Sequence, residues 1–212
     1  MSAAAVGPGH PPLRKKSPAK RAAILAAAME LFLQQGYERT SVDAIAALAG
    51  VGKQTVYGHF GDKESLFLAV IAHAREIQET ERGAVVLDAG DPLTDLTTAG
   101  ESILSGVLSP TISGLHRLTI AELPHHPELQ KMWRDDTDRP GLDDLVSGYL
   151  RSCDESGILR VPDPALTTRQ FTYLLITEGR VVTLQGTVPL SPTDRHRIAT
   201  QTADLIVRAC RP

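Results

Sequence analysis

The stretch that decides the fold runs from Gly50 to Phe67 and reads Gly-Val-Gly-Lys-Gln-Thr-Val-Tyr-Gly-His-Phe-Gly-Asp-Lys-Glu-Ser-Leu-Phe. Lys53 to about His59 has a helical pattern with few large apolar residues, and Asp62 is a plausible N-cap for the helix that follows. A short helix that follows a tight glycine-containing turn is typical of a helix-turn-helix. The shortage of large apolar residues favours a helix that lies with one side in a groove.

The residues before this stretch predict two more helices. Apolar side chains recur at helical spacing from Ile24 to Phe32, and Gly36 stands where a left-handed C-cap is expected. Thr40 followed by Asp43 three positions later fits a capping box, in which the Thr hydroxyl accepts one amide hydrogen bond and the Asp carboxylate accepts another. We therefore predict a helix-turn-helix domain over residues 19–66.

The rest of the chain, residues 67–212, also has a helical pattern throughout. No strand-like alternation persists, so the predicted fold class is all-α with about nine helices. The fourth helix could run to about Val85, and the expected later helices are Asp91 to Leu108, Thr111 to Leu123, Pro127 to about Asp136, Gly141 to Ser156, Pro164 to Gln185 and Pro192 to Cys210.

The net charge of −3 over 212 residues is unevenly distributed. Residues 1–66 carry +3 and the remainder carries −6, which favours a chain that approaches a polyanion with its N-terminal part only. Residues 1–18 have the composition of a disordered basic arm. Two interpretations of this arm stay open, a solvated tail and an arm that follows phosphates or enters a minor groove.

Other features exclude several classes. The cysteines Cys153 and Cys210 belong to no motif, and no apolar stretch approaches the length of a membrane span, so we expect a cytoplasmic protein with no membrane partner. We expect no enzyme activity and no cofactor, since the chain has no Gly-rich phosphate loop and no Gly-x-Ser-x-Gly. His125 to Glu128 is interpreted as a surface turn and not as a metal site, because Pro127 breaks the helical spacing.

The third helix offers side chains that suit DNA bases. A B-DNA major groove admits one α-helix, and the small residue Gly52 allows its backbone to come close to the duplex. Lys53 and Gln54 can donate hydrogen bonds to purine edges or phosphates, and Thr55 can present its methyl or hydroxyl group. The alternative for Lys53 is a solvated charge that contacts nothing.

A second group of residues suits phosphates, which fix register and carry no sequence information. Tyr57 and His59 lie farther along the third helix. Lys63 is at the start of the fourth helix, and Thr40 or Ser41 is at the start of the second, where a helix N-terminus favours an anion. The alternatives are that Tyr57 is partly core and that His59 is a packing or capping residue.

About 50 residues, from Ala22 to Phe67, resemble the TetR family of repressors. The resemblance rests on the first helix with Gly36-Tyr37, on Thr40 to Ala46, and on Tyr57-x-His59-Phe60 followed by Lys63-Glu64. It implies that Tyr57, His59 and Lys63 hold phosphates and that Gly52 to Thr55 face bases. Two departures affect these assignments. The family often has Ser or Thr where Gly52 stands, and often a second aromatic residue where Gly58 stands.

A shorter stretch, from Leu115 to Pro124 with Pro127-Glu128-Leu129, is similar to a TetR subgroup related to the AefR and AcrR regulators. The family resemblance implies a homodimer whose interface is a four-helix bundle of the last two helices of each chain. The sequence allows this, because those helices are apolar on more than one side, although a monomer core is the alternative. The apolar residues concerned are Phe171, Leu174, Leu175, Val181, Val182, Leu184, Ile198, Leu205, Ile206 and Cys210.

A ligand pocket is expected among the helices between about Ser102 and Gly179. The alternative for most of the candidates is an ordinary core position, and their low aromatic and charge content favours a moderately apolar ligand. The candidate lining residues are Leu104, Ile112, Leu115, His116, Met132, Trp133, Tyr149, Phe171, Tyr173 and Glu178.

These observations together predict a dimeric repressor that binds an inverted-repeat operator in double-stranded DNA and is released by a small-molecule effector. A non-specific architectural DNA-binding protein is the alternative, but such a protein would be expected to have a strongly basic body.

Overall fold

The computed structural model describes residues 17–82, 84–88, 90–127, 130–131 and 142–212. Within these residues the chain is helical, which confirms the predicted fold class. Most of the basic arm and most of the helix predicted from Pro127 lie outside the described residues. The helices are α1 (Pro18–Gln35), α2 (Val42–Leu48), α3 (Lys53–Phe60), α4 (Lys63–Arg82), α5 (Pro92–Val107), α6 (Pro110–Glu122), α7 (Leu142–Glu155), α8 (Pro164–Val182) and α9 (Pro192–Ala209).

Local signals set most of the helix starts. Five helices begin with proline in the first turn, where its missing N–H is not needed. Side-chain oxygens at the N-caps accept backbone N–H bonds that the first turn leaves free. The caps with such a bond are Ser41, Asp91, Ser109, Asp163 and Ser191, and the Asp62 carboxylate accepts from Ser65 N before α4.

The prediction that Thr40 caps the second helix is wrong. Ser41 is the N-cap, and its Oγ accepts from Ala44 N at 3.1 Å. The Thr40 side chain is buried and its hydroxyl lies 2.7 Å from the carbonyl oxygen of Gly36 and 3.2 Å from that of Leu31. It thereby donates to the carbonyl group of Gly36, which follows the last residue of α1 and has no helical partner.

The helices form two hydrophobic cores. The first core joins α1 to α4, which we call the head (residues 18–82), and its rings Phe32, Tyr37 and Phe67 lie with centroids 5.0–5.7 Å apart. Leu115 of α6 also belongs to this core. The second core lies within the body (residues 92–209) and draws on α5, α7, α8 and α9. The domain boundary predicted between residues 66 and 67 falls inside α4, whose buried residues pack on the head core as far as Ala74.

Half of the apolar residues named for the last two helices lie in the body's own core, which accounts for one of the apolar sides expected of these helices. Helix α8 comes so close to α5 that a Cβ on Gly179 would lie 2.6 Å from Leu108 Cδ1. This approach buries one apolar side of α8 and α9 within the chain. The residues in the core are Phe171, Leu175, Ile198, Ile206 and Cys210. The other five stay exposed, by 39–66%: Leu174, Val181, Val182, Leu184 and Leu205.

Helix α8 ends three residues earlier than predicted, and the turn that follows explains why. The buried Thr183 hydroxyl donates to Gly179 O at 2.7 Å and accepts from Gly186 N at 3.0 Å. Arg117 of α6 then donates to the carbonyl oxygens of Gln185 and Gly186 at 3.0 and 2.8 Å. These bonds hold Leu184 and Gln185 in the left-handed region, at φ 50° and 61°. The fourth helix likewise ends at Arg82 and not near Val85.

No helix in the described ranges has the combination of length and apolar content that a membrane crossing requires.

Candidate DNA interface and candidate ligand site

Helix α3 presents a polar stripe to solvent. Its exposed residues recur at helical spacing, so they lie along one side of the helix. Val56, on the opposite side, is 1% exposed and anchors α3 to the head core, while Phe60 is half-buried against the same core. The exposed residues are Lys53, Gln54, Tyr57 and Gly58, with Gly52 at the N-cap. The structure therefore brings together most of the residues predicted to face bases, and Thr55 flanks them in a half-buried position.

The turn between α2 and α3 fixes the angle of the stripe. Gly50 adopts a left-handed φ of 64°, and Val51 N donates to Ala46 O at 3.0 Å. Gly52 caps α3 with no side-chain hydrogen bond. A Cβ at Gly52 would have ordinary contacts only, so the serine or threonine that the family often has there would fit.

Lys53 has a partner that the sequence pattern did not identify. Its Nζ lies 2.8 Å from Asp43 Oδ2 of α2, and both side chains are about half exposed or more. The hydrogen bond to Asp43 and the charge of that carboxylate raise the pKa of Lys53, so the ammonium stays protonated. The pair holds the side chain beside the N-terminus of α3, and DNA would compete with Asp43 for it.

The residues predicted to hold phosphates differ in their exposure, because some are accessible and others are partly or fully buried. Tyr57 is 43% exposed on the α3 stripe, and Ser41 is exposed at the start of α2. His59 is half-buried, with its ring centroid 6.0 Å from that of Phe60. Thr40 is enclosed and engaged with two carbonyl groups, so its hydroxyl has no route to a phosphate in this conformation.

The side chain of Lys63, at the start of α4, points toward the connection between α1 and α2. Its Nζ lies 4.2 Å from the centroid of the Tyr37 ring and donates to Glu38 O at 3.3 Å. A cation over the face of a tyrosine is attracted by the ring quadrupole. A phosphate contact by Lys63 would therefore replace these two interactions.

A cluster of titratable side chains lies where the head meets α6. The His126 ring is 5.0 Å from that of Tyr37, its Nδ1 is 3.4 Å from Glu64 Oε1, and its Nε2 is 3.5 Å from Glu122 Oε2. Burial, followed by the charges of Glu64, Glu38 and Glu122, raises the pKa of Tyr37 to about 12. The surface-turn interpretation fits the exposed His125, and the half-buried His126 lies between the carboxylates of Glu64 and Glu122. Local spacing relates only Glu122 and His126, which are four residues apart, whereas Glu38 and Glu64 come from distant parts of the chain.

The residues predicted to line one ligand pocket are dispersed. Four of them pack against the two separate cores: Leu104 and Phe171 in the body, and Leu115 with Ile112 in the head. Met132 and Trp133 lie outside the described residues.

Two more of these candidates face outward. Tyr173 is 54% exposed, and Glu178 is exposed with its carboxylate 3.4 Å from Arg197 NH1 of α9. Their exposure follows from the packing of α8, which buries Phe171 and Leu175 on its inner side.

The last two candidates are polar groups whose pKa values burial shifts. The Tyr149 hydroxyl donates to the buried Asp95 at 2.9 Å, and burial followed by this bond raises the pKa of Tyr149. Burial lowers the pKa of His116 to about 4, assisted by the charges of Arg180 and two other arginines. His116 is therefore neutral at physiological pH.

The described residues also line two open clefts. One, of about 410 Å³, lies beside Gly114 and Arg117 of α6. The other, of about 610 Å³, lies between α5, Arg195 of α9 and residues 84–86. In the larger cleft, Ser102 Oγ and Arg195 Nε are buried and have no hydrogen-bond partner.

A short helix with an exposed polar stripe, held at a fixed angle by a glycine turn on a small helical head, defines a helix-turn-helix protein. Two sequence models of protein families match this chain. Residues 24–70 match the model described as bacterial regulatory proteins, tetR family, and residues 94–212 match that of the AefR-like transcriptional repressor, C-terminal domain. The chain belongs to the TetR family of transcriptional regulators.

Individual relatives agree with this assignment. The HTH-type transcriptional regulator YhgD of Bacillus subtilis is 30% identical over 148 residues, 68% of this chain and 74% of its own. AcrR of Shigella flexneri is 36% identical over 108 residues, which cover 49% of this chain and 46% of AcrR. The match to BepR of Brucella suis covers 28% of each protein at 42% identity. This chain thus matches less than half the length of AcrR and BepR.

Solved structures share the whole fold. A TetR-family regulator from Mesorhizobium loti has a TM-score of 0.75 at 23% identity, with 92% of this chain and all of that chain covered. The flavonoid-responsive regulator FrrA has a TM-score of 0.74 at 25% identity, over 92% of this chain and 99% of its own. The likeness extends through both the head and the body.

Proposed function

We propose that this protein is a dimeric, sequence-specific repressor that binds an inverted-repeat operator and leaves it when a small molecule occupies the body. The observation that carries the proposal is the exposed stripe of α3, on which Lys53, Gln54 and Tyr57 are all accessible. A helix with these donors on one side suits base edges and phosphates in a major groove.

The exposed outer face of α8 and α9 supports the dimer. The exposed fractions are 43% for Leu174, 65% for Val181 and 54% for Leu205. Apolar side chains exposed together on one face are typical of a surface that a partner covers. The ion pair between Glu178 and Arg197 joins the two helices on the same surface. A second copy of the chain would cover this face in a four-helix arrangement. A two-fold dimer of this kind sets its two recognition helices about 34 Å apart, one turn of DNA.

The charge distribution favours specific over architectural binding. Residues 67–212 carry a net charge of −6, which repels the phosphate backbone from the body. Only the head and the basic arm then approach DNA, and affinity depends on how well the head fits its site. An architectural protein that wraps DNA would need positive charge over a larger surface.

The effector is proposed to bind in the body, at the larger cleft, which is lined by Ser102, Arg195 and the apolar residues Ala84 and Val85. The similarity to a regulator that is named flavonoid-responsive supports a small organic effector. The ligand acts by favouring a conformation of the dimer in which the two recognition helices are wrongly spaced for one side of DNA. Ser102→Ala should then weaken the effector response and leave operator binding unchanged.

The proposal is tested by selection of bound sequences from a random DNA pool, followed by sequencing. We expect enrichment of an inverted repeat whose half-sites lie one helical turn apart, and retention of the complex in excess random DNA. Binding that shows no enrichment and disappears as salt rises would instead establish a non-specific DNA-binding protein. A set of flavonoids and unrelated aromatic compounds is then added to the operator complex to find those that release it.

Tyr57→Phe is expected to weaken binding to all DNA sequences by a similar factor. The substitution removes the exposed hydroxyl and keeps the ring, so the fold of the head is preserved. One lost hydrogen bond to a phosphate in each subunit costs about 1 kcal/mol, or roughly thirtyfold in affinity for the dimer. The salt dependence should stay unchanged, since the tyrosine carries no charge. Filter binding to operator and random DNA over a salt series measures both quantities.

Gln54→Ala is expected to reduce the preference for the operator over its single-base variants. A bidentate contact between Gln and adenine contributes about 1–3 kcal/mol of discrimination, and the exposed amide of Gln54 is well placed for one. Competition assays with each base substituted in a half-site measure the change. Gln34→Ala is a matched control, since Gln34 is an exposed glutamine on α1. An unaltered base preference in the Gln54 variant would remove this residue from the base readers.

A further inference from the structure

Three metal-ligating side chains converge where the head meets the body. Glu38 lies between α1 and α2 in the head, Glu122 is the last residue of α6, and His126 follows α6. One ligand atom from each of the three lies within 4.8 Å of the others. Two carboxylates and an imidazole, each from a different position in the fold, thus face a common point.

The spacing of the buried pair fits ligands of one ion. His126 Nε2 lies 3.5 Å from Glu122 Oε2, and Glu122 is only 9% exposed. The Nε2 atom is itself buried and has no hydrogen-bond partner. Two donors bound to the same zinc ion at about 2.1 Å and a tetrahedral angle would be about 3.4 Å apart. The observed pair has this separation without being bonded to each other.

Glu64 places a carboxylate on the other side of the His126 ring. Its Oε1 lies 3.4 Å from Nδ1 of His126, on the side of the ring opposite Nε2, and this oxygen too is buried without a hydrogen-bond partner. A histidine that binds a metal through one nitrogen usually directs the other toward a carboxylate, which fixes the tautomer and the ring orientation. The arrangement leaves the lone pair of Nε2 free to face Glu122.

The charges of the cluster also suit a divalent cation. Glu38, Glu64 and Glu122 contribute three negative charges, and the ammonium of Lys63 lies beside them, 3.3 Å from the backbone carbonyl oxygen of Glu38. Carboxylates held this close together repel one another unless a positive charge compensates. An ion of charge +2 would neutralise the remainder when His126 is neutral.

We propose that Glu38, Glu122 and His126 form a binding site for a divalent first-row transition ion of the Zn²⁺ type. One nitrogen and two carboxylate oxygens suit such ions, whereas Ca²⁺ and Mg²⁺ prefer oxygen ligands alone. Glu64 acts as a positioning residue for His126. Since the ligands come from both the head and α6, the ion joins the α1–α2 connection to the end of α6 and restrains the head relative to the body.

Metal binding is measured on the full-length untagged protein, stripped with a chelator and then titrated with Zn²⁺ by calorimetry and with Co²⁺ by absorption spectroscopy. We expect one ion per chain, a Co²⁺ spectrum of a site with nitrogen and oxygen ligands, and a higher melting temperature with Zn²⁺ bound. Mg²⁺ at the same concentration should leave the melting temperature unchanged.

The variants Glu38→Gln and His126→Gln are each expected to weaken Zn²⁺ binding at least tenfold. Glu38 is exposed, so the Glu38→Gln variant should keep its fold even if substitution of the half-buried His126 disturbs the packing. His125→Gln is the matched control, since His125 is the exposed neighbour of His126 and should leave the Zn²⁺ affinity within twofold of the parent.

Absence of stoichiometric Zn²⁺ binding, or equal affinity in the parent and the Glu38 and His126 variants, would overturn the proposal. His126 would then serve as a bridge between the carboxylates of Glu64 and Glu122. These measurements contain no DNA, so their failure is distinct from a failure of the proposed repressor function.

Discussion

A chain that carries Val181→Glu and Leu205→Glu together is expected to be monomeric and to lose at least a hundredfold in operator affinity. Both side chains are more than half exposed on the outer face of α8 and α9. A dimer would bury four introduced carboxylates against apolar surface, and each buried charge without a partner costs several kcal/mol. The monomer then binds a half-site alone and loses the gain of roughly a hundredfold or more that linked binding provides.

Light scattering coupled to size-exclusion chromatography measures the oligomeric state, and a gel-shift titration with the selected operator measures affinity. Ile158→Glu is the control, since Ile158 is 49% exposed and lies outside α8 and α9. Circular dichroism establishes that the double variant remains helical. A double variant that is still a dimer with full affinity would place the interface elsewhere on the chain.

Much of the fold could be predicted because helix ends in this chain depend on local chemistry. The helix predicted from Asp91 to Leu108 is observed as Pro92–Val107, because the Asp91 carboxylate caps the first turn and proline follows it. The signal for the recognition helix was equally local. Gly50 and Gly52 limit the turn, and Val56 is the one fully apolar anchor of α3 between exposed polar residues.

The predictions that were wrong depended on contacts between distant residues. Thr40 and Ser41 are adjacent and both can cap a helix, so sequence alone does not distinguish them. In the structure the Thr40 hydroxyl is directed to the carbonyl oxygens of Gly36 and Leu31 at the end of α1, which leaves Ser41 to cap α2. In the same way, the apolar content of α8 predicted burial on two sides, but only the close approach of α5 at Gly179 shows which side belongs to the chain's own core.

For the candidate sites too, what could be predicted depended on whether the residues are close together in the chain. The DNA-facing residues lie within one short segment, so their grouping on one helix followed from spacing. The cluster joins Glu122 and His126, four residues apart, to the distant Glu38, and the pocket residues were chosen from helices whose relative rotation the sequence does not specify. Rotation of α8 decides that Phe171 faces the core while Tyr173 faces outward.

Phe171→Ala is expected to lower the free energy of unfolding by about 3–5 kcal/mol, since Phe171 is fully buried among α5, α7 and α9. Phe171→Leu, which keeps most of the apolar volume, should cost about 1 kcal/mol. Urea unfolding followed by circular dichroism, at one fixed protein concentration for all chains, provides the comparison.

A residue that lines an empty ligand pocket has fewer packed neighbours than a core residue. Its truncation would therefore lower the free energy of unfolding only slightly, and the lost stability would be recovered when the effector binds. A small loss in the free energy of unfolding of the alanine variant, together with a weakened effector response, would therefore support the prediction that Phe171 lines the ligand pocket. A large loss with an unchanged effector response would establish that Phe171 belongs to the core.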